Sequence, residues 1–265
     1  MAALIIAGKK AYEEWVLGKM DHRSDELFLM SSIWSPVAVI GLYLYFVKCV
    51  GPRHMKNRPA YELNGVMKAY NLTQILCSVY MLLYSLKAGW AFKYKWLCEP
   101  VDYSFTASSI DVVRCVWTYM MIKLLDLVDT VFFVLRKKAA HTSFLHVYHH
   151  AIVFFGAWCC TKYVPGGHGT FIGPVNAFVH IVMYTYYFVT ATWPEYRKSL
   201  WWKKYITQLQ LAQFLIVTLH SSTVLFMDDS CKYPKPLAAF LAVQNGFMFI
   251  LFAEFYVKSY RRKIK

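Results

Sequence analysis

Three histidines in one short stretch, His146, His149 and His150, stand at i, i+3 and i+4, which puts them on one face of a helix. Imidazole can act as base, acid, metal ligand or covalent nucleophile. Three on one face exceed what the packing of a single buried histidine asks for. A second set, Lys123, Asp126, Asp129 and Thr130, joins an i, i+3 ion pair to a further carboxylate. It reads either as a self-neutralising cluster or as a means of orienting a histidine through its ring N–H. Asn176 and His180 are four apart and precede Met183-Tyr184-Thr185-Tyr186-Tyr187, while Thr207, Gln210 and Gln213 recur every three residues. Amides at that spacing can glue helices together or touch a substrate. Between them these groups offer a nucleophile and donors for a developing oxyanion. No cysteine competes for the first role, since Cys159 and Cys160 lie beyond the deep end of the histidine face.

Such side chains must be carried by helices in hydrocarbon. Of the 265 residues, 58% are apolar and only 17% charged, and the mean hydropathy is +0.34. A soluble domain is nearer half apolar and a quarter charged, so soluble, disordered and disulfide-scaffold classes fit poorly. Windows of about 20 mainly apolar residues, long enough to span a bilayer, lie near 27–49, 66–86, 112–135, 143–161, 171–192, 205–226 and 237–257. The expected fold is an all-α polytopic membrane protein with seven transmembrane helices, residues 1–265 forming one domain. The third window is the least apolar, because Lys123, Asp126 and Asp129 interrupt it. Residues 1–26 hold acidic side chains and no apolar core before a cleavage site, so they do not read as a signal peptide.

A net charge of +14 would point to nucleic acid in a soluble protein. Seven spans sort the 29 Lys and Arg into 11 on one side and 17 on the other, with Lys123 inside a helix. The richer side is expected to be cytosolic, giving an external N-terminus and a cytosolic C-terminus. The excess is then topological, and no nucleic-acid partner is expected. Arg136-Lys137-Lys138 directly precede the histidine helix, and Arg197, Lys198, Lys203 and Lys204 surround the sixth span. They serve lipid headgroups or a polyanion such as the phosphates of coenzyme A. Cys98 and Cys231 fall in loops on the non-cytosolic side, where an oxidising lumen permits a bridge but does not require one. Asn71-Leu72-Thr73 fits the glycosylation pattern, yet it sits inside a span and is expected to be unused. The tail Arg261-Arg262-Lys263-Ile264-Lys265 reads equally as cytosolic topology charge or as a degenerate dilysine retrieval signal.

Depth brings these sets together. At 1.5 Å per residue, the histidine box lies roughly 8–14 Å along its helix, Asp129 about 9 Å from the cytosolic end, and Thr207, Gln210 and Gln213 roughly 9–14 Å in. His180 is deeper, about 18 Å. Four helices thus converge on the cytosolic half of one bundle, where ionisable residues face an interior or a wet cavity.

The segments Lys123-Leu-Leu-Asp126-Leu-Val-Asp129-Thr130, Leu145-His146-Val-Tyr148-His149-His150, Asn176-Ala-Phe-Val-His180-Ile-Val-Met183-Tyr184 and Thr207-Gln-Leu-Gln210-Leu-Ala-Gln213-Phe214 resemble the four signature boxes of the elongases of very-long-chain fatty acids. They occur in the family's order over about 90 residues, and the likeness continues over most of the chain. It is nearer the animal branch acting on saturated and monounsaturated chains than the yeast enzymes. One departure is Asp126, where the family usually has Glu; the charge is kept with a shorter reach. The resemblance implies a 3-oxoacyl-CoA synthase of the endoplasmic reticulum membrane, condensing acyl-CoA with malonyl-CoA and releasing CO2 and CoA. It implies seven helices, six enclosing a narrow acyl-chain tunnel closed at the lumenal end, and a Cys98–Cys231 disulfide. Its partners would be the two CoA substrates, the bilayer, and the reductases and dehydratase that complete the cycle, with self-association left open. No cofactor or metal is implied. With the resemblance as guide, His149 is expected to accept the acyl group and Asp129 to orient or polarise the box. His180 and Asn176 would hold the malonyl thioester and stabilise its enolate, His146 and His150 would complete the catalytic group, and Lys123, Gln210, Gln213 and Tyr187 would help bind substrate. Arg136, Lys137, Lys203 and Lys204 would draw in CoA thioesters.

Two other classes are weaker. A membrane di-iron desaturase or hydroxylase also uses His-x-x-His-His, but it needs several such boxes. Here one box, His180 and the scattered His22, His54, His141, His168 and His220 must suffice. A seven-helix receptor or transporter could use intramembrane His, Asp and Lys as a relay. The clustering of polar residues at one cytosolic depth argues against an outward-facing ligand site. Preferred chain length is not legible, since several bulky residues of spans six and seven are candidates for the tunnel's plug.

Overall fold

The computed structural model describes residues 17–198, 200–228 and 230–261, and all regular structure among them is helical. The apolar run from Leu27 to Met30 does not begin the first helix. Leu29 adopts a left-handed φ of 67°. The carbonyls of Phe28 and Leu29 accept indole N–H bonds from Trp117 and Trp158 at 3.1 and 2.8 Å. Met30 is fully buried. This lead-in is packed against the bundle, so helix α1 spans Trp34–Met55 rather than the expected 27–49. It runs past its expected end because a π-type turn at Phe46–Val50 absorbs the helix register before Pro52, which has no N–H to give. Gly51 lets α1 come close: a Cβ there would meet Val134 at 2.5 Å.

Six more long helices follow: α2 Asn64–Ser85, α3 Ala107–Leu135, α4 Phe144–Tyr163, α5 Ile172–Thr192, α6 Leu200–Thr223 and α7 Lys235–Tyr256. α3 starts ahead of its apolar window because Thr106 caps it, accepting from the Ser109 N–H at 3.2 Å. Ser143 does the same for α4, accepting from the His146 N–H at 3.4 Å.

Neighbour contacts run α2–α3–α4–α7–α6–α5 and back to α2, closing a ring of six, with α1 outside against α3 and α4. Among the described residues four segments are long and apolar enough to cross a membrane: Trp34–Met55, His168–Thr192, Trp202–Phe226 and Lys235–Tyr260. α2, α3 and α4 are comparable in length but turn polar side chains inward, including Gln74, Lys123 and Asp126. The molecule is a multi-pass membrane protein. At one end of the ring a Cys98–Cys231 disulfide ties the α2–α3 loop to the α6–α7 loop. At that end Arg23 donates to the carbonyls of Asp102 and Ser104 at 2.8 Å each, and Asp25 pairs with Lys162. Residues 1–16 and the last four of the basic tail Arg261–Lys265 lie outside the described residues.

Candidate active site

The Ser143 cap puts the histidine box in the first turns of α4, roughly 3–9 Å from the helix start. That is shallower than expected, because the helix begins at Phe144 rather than near 141. The His146 and His150 rings are 4.2 Å apart, and His149 and His150 5.4 Å. Their surroundings differ. His146 Nε2 lies 3.0 Å from Thr130 Oγ1. His149 instead lies between Phe214 of α6 and Phe252 of α7, at 6.3 and 6.1 Å between centroids. It lines an apolar cavity inside the ring. The walls continue past Asn176 and Gln213 to Cys160, Trp90 and Tyr233 near the disulfide end.

On α3, Lys123 Nζ and Asp126 Oδ2 form a buried ion pair at 2.9 Å, and the ammonium sits 5.0 Å from the centre of the Tyr119 ring. Asp126 Oδ1 also accepts from Gln74 Nε2 at 2.8 Å, so the shorter side chain at this position still makes two strong contacts. Among the described residues Asp129 has no histidine within hydrogen-bond reach. Its carboxylate accepts from the Tyr184 hydroxyl of α5 at 2.7 Å, while Thr130, next along the helix, is the group that meets His146. The carboxylate facing a histidine is Asp126, whose Oδ2 is 3.9 Å from His180 Nδ1.

Asn176 joins three helices: its Oδ1 accepts from Tyr119 at 3.3 Å, and its Nδ2 donates to Gln213 at 3.3 Å. Gln210 makes only a long contact to Met183 Sδ at 3.5 Å. Tyr187 is 39% exposed and packs edge-on against Tyr184, so it stands at the margin of the network. At the end opposite the disulfide, Arg136 reaches Met67, and Lys137 closes α3 with a left-handed φ of 53°. Burial, with the charges of Lys138, Lys203 and Arg136, holds the His141 imidazole below its ordinary range. The α3–α4 loop and the start of α6 therefore share one basic cluster, which the exposed Lys204 borders.

Sequence reading missed Tyr43, Tyr70, Gln74 and Tyr119. On α2, Asn71, Gln74, Ser78 and Ser85 are all buried, a polar stripe at helical spacing in an otherwise apolar span. That stripe was the available signal, and a search for ionisable groups passes over it. Asn71 is buried inside α2, which places the glycosylation sequon in the bundle. Among the described residues no group of three His, Cys, Asp or Glu side chains converges as metal ligands would.

The family model described as ELO, the GNS1/SUR4 family, matches residues 28–265. Very long chain fatty acid elongase 7 of Rattus norvegicus is 41% identical over 95% of this chain and 89% of its own length. The elongase 7 of Drosophila melanogaster is 39% identical, covering 95% and 77% respectively. Very long chain fatty acid elongase 1 of Homo sapiens is 39% identical, covering 95% and 90%.

Proposed function

The chain belongs to the ELO, GNS1/SUR4 family, and from that premise we infer that it condenses a long-chain acyl-CoA with malonyl-CoA to give a 3-oxoacyl-CoA, CO2 and CoA. It is an acyltransferase, a very-long-chain 3-oxoacyl-CoA synthase catalysing the first step of fatty acid elongation.

The reaction runs in two steps through His149. One observation carries this choice: of the three box histidines, His149 is the one on the wall of the apolar cavity. Its ring nitrogen attacks the thioester carbonyl, the C–S bond breaks, and the imidazole proton leaves with CoA as the acyl-imidazole forms. Malonyl-CoA then loses CO2, and the electron pair of that bond becomes an enolate. The enolate carbon attacks the acyl carbonyl, the C–N bond breaks, and one proton from water restores the neutral ring. His180 and Asn176 hold the malonyl thioester and stabilise the enolate oxygen. The bonds from Tyr119 and to Gln213 pre-set the Asn176 amide, so little reorganisation is left for the reaction itself. Asp126, 3.9 Å from His180 Nδ1, acts on that ring through its charge, and Asp129 acts through Tyr184 rather than on the box. His146, His150, Gln210 and Tyr187 complete the surrounding shell.

The six-helix ring encloses a narrow tunnel for the acyl chain, and the basic mouth of Arg136, Lys137, Lys203 and Lys204 receives the CoA phosphates. The membrane is that of the endoplasmic reticulum, with the N-terminus lumenal and the C-terminus cytosolic. The disulfide supports this orientation, since it ties loops on the side poorer in Lys and Arg, where an oxidising lumen would lie. Separate reductases and a dehydratase take the product onward. Intact-mass measurement after incubation with acyl-CoA alone tests the nucleophile: the protein gains one acyl group and His149→Ala gains none. Acylation of His149→Ala would refute the assignment. Membranes holding the protein and labelled malonyl-CoA must yield a product two carbons longer; no incorporation with any acyl-CoA length would refute the activity.

A further inference from the structure

α1 stands outside the ring, yet one of its side chains reaches the histidine box. Tyr43 is buried in a cluster with Val47, Leu127, Val134 and Val147. Its phenol oxygen is 2.9 Å from Thr130 Oγ1, and Thr130, fully buried, is 3.0 Å from His146 Nε2.

Proton accounting gives this chain a direction. A phenol has one proton to donate, and Thr130 is the partner that Tyr43 has among the described residues. Tyr43 must therefore donate to Thr130. The threonine hydroxyl then has its own proton free for the next link, and His146 Nε2 is where it points. His146 accepts at Nε2 and, as a neutral ring, carries its proton on Nδ1. The reverse order would have His146 donate to Thr130 and Thr130 to Tyr43. That would strand the phenol proton among apolar side chains, disfavouring the arrangement roughly tenfold or more.

We propose that Tyr43 is a positioning residue which acts through Thr130 to hold His146 as the Nδ1–H tautomer with Nε2 occupied. The inference rests on the reading of His149 as acyl acceptor. A locked His146 cannot rotate into a second role, and it holds one face toward His150, which packs in turn against His149. One imidazole of the three is then left with its nitrogen open to the cavity. A helix that contributes nothing to the cavity wall thereby selects the nucleophile inside it.

The test uses the full-length protein, ¹⁵N-labelled at histidine, as wild type, Tyr43→Phe, Thr130→Val, the double variant and Thr130→Ser. Loss of either hydroxyl should lower kcat roughly fivefold and leave KM unchanged, because neither residue lines the cavity. The double variant should be no slower than Thr130→Val, since both changes cut one path. Thr130→Ser keeps a hydroxyl and should restore kcat. In ¹⁵N spectra, with His146→Gln assigning the signal, wild type and Thr130→Ser should show a single Nδ1–H tautomer and the Phe and Val variants a mixture. A single Nε2–H tautomer in the wild type, unchanged kcat and spectrum in Tyr43→Phe, or multiplying losses in the double variant would each overturn the proposal. Should the wild type make no elongated product while its spectrum shows the Nδ1–H tautomer, the elongase reading fails and the Tyr43 lock stands.

Discussion

Removing one member of the Lys123–Asp126 pair strands a charge where nothing else can neutralise it fully. Both side chains are almost wholly buried, 4% and 3% exposed, with nitrogen and oxygen 2.9 Å apart. Breaking such a pair from one side costs about 3–5 kcal/mol. Lys123→Met leaves the Asp126 carboxylate with Gln74 at 2.8 Å, Tyr184 at 3.5 Å and His180 Nδ1 at 3.9 Å, none of which is a permanent cation. The full range applies to it. Asp126→Asn is milder: the amide can still accept from Gln74, and the orphaned ammonium keeps the Tyr119 ring at 5.0 Å, a cation–π contact worth up to about 2 kcal/mol when desolvated. At about 2–4 °C per kcal/mol for a protein of this size class, Lys123→Met should lower the melting temperature by roughly 6–20 °C. The double variant Lys123→Met/Asp126→Asn removes both charges and should melt above Lys123→Met alone. Thermal unfolding of the detergent-solubilised protein measures all four forms. A double variant that loses the sum of the two single losses would sink the claim that the pair is one self-compensating unit.

Three further outcomes are expected. Neutralising Arg136, Lys203 or Lys204 to Gln should raise the KM for acyl-CoA by up to about fivefold each, the scale of an exposed charge contact. It should leave kcat near wild type, and high salt should flatten the difference; a fall in kcat at constant KM would contradict a capture role. Reducing the Cys98–Cys231 bridge opens a loop of sequence separation 133, worth at most about 5 kcal/mol by chain entropy. Reductant should therefore lower the melting temperature of the wild type but not of Cys98→Ser/Cys231→Ser, and equal shifts would contradict the role given to the bridge. Burial alone would raise the Asp25 carboxyl, but hydrogen bonds and charge from Lys162 and His22 outweigh it and hold the group below its ordinary value of 3.8. A depressed carboxyl stabilises the fold above its unfolded pKa and loses that contribution as pH falls through its folded value. The melting-temperature gap between wild type and Asp25→Asn should accordingly persist from neutrality down to about pH 3.8 and close only below it; a gap already closing between pH 7 and 5 would contradict it.

What was legible in the sequence follows from what is expensive in hydrocarbon. Lys123, Asp126, Asp129 and the four histidines announce themselves because an ionisable group inside a span costs several kcal/mol unless it faces an interior. Their spacing then assigned them to faces of α3, α4 and α5. Helix number was legible for the same reason, since apolar windows of spanning length are hard to hide. The first helix was misplaced because Leu27, Leu29 and Met30 are apolar for tertiary packing in one cluster with Trp117 and Trp158, and hydropathy does not separate that from lipid contact. The partners of the charged residues were not legible. Tyr43, Thr130, Tyr70, Gln74 and Tyr184 are neutral, and a hydroxyl or amide in a membrane helix is cheap enough to pass for helix glue. They nonetheless answer to the charges: Gln74, Tyr184 and Thr130 match lone pairs and protons that Asp126, Asp129 and His146 bring. Asp129 was assigned to a histidine by depth along the helix, but the pairing was decided by which hydroxyl lay opposite. Tyr184 took the carboxylate, and Thr130 took the histidine. A charge-based reading of such a protein therefore finds the reacting groups, and counting the donors and acceptors they leave over finds the residues that hold them still.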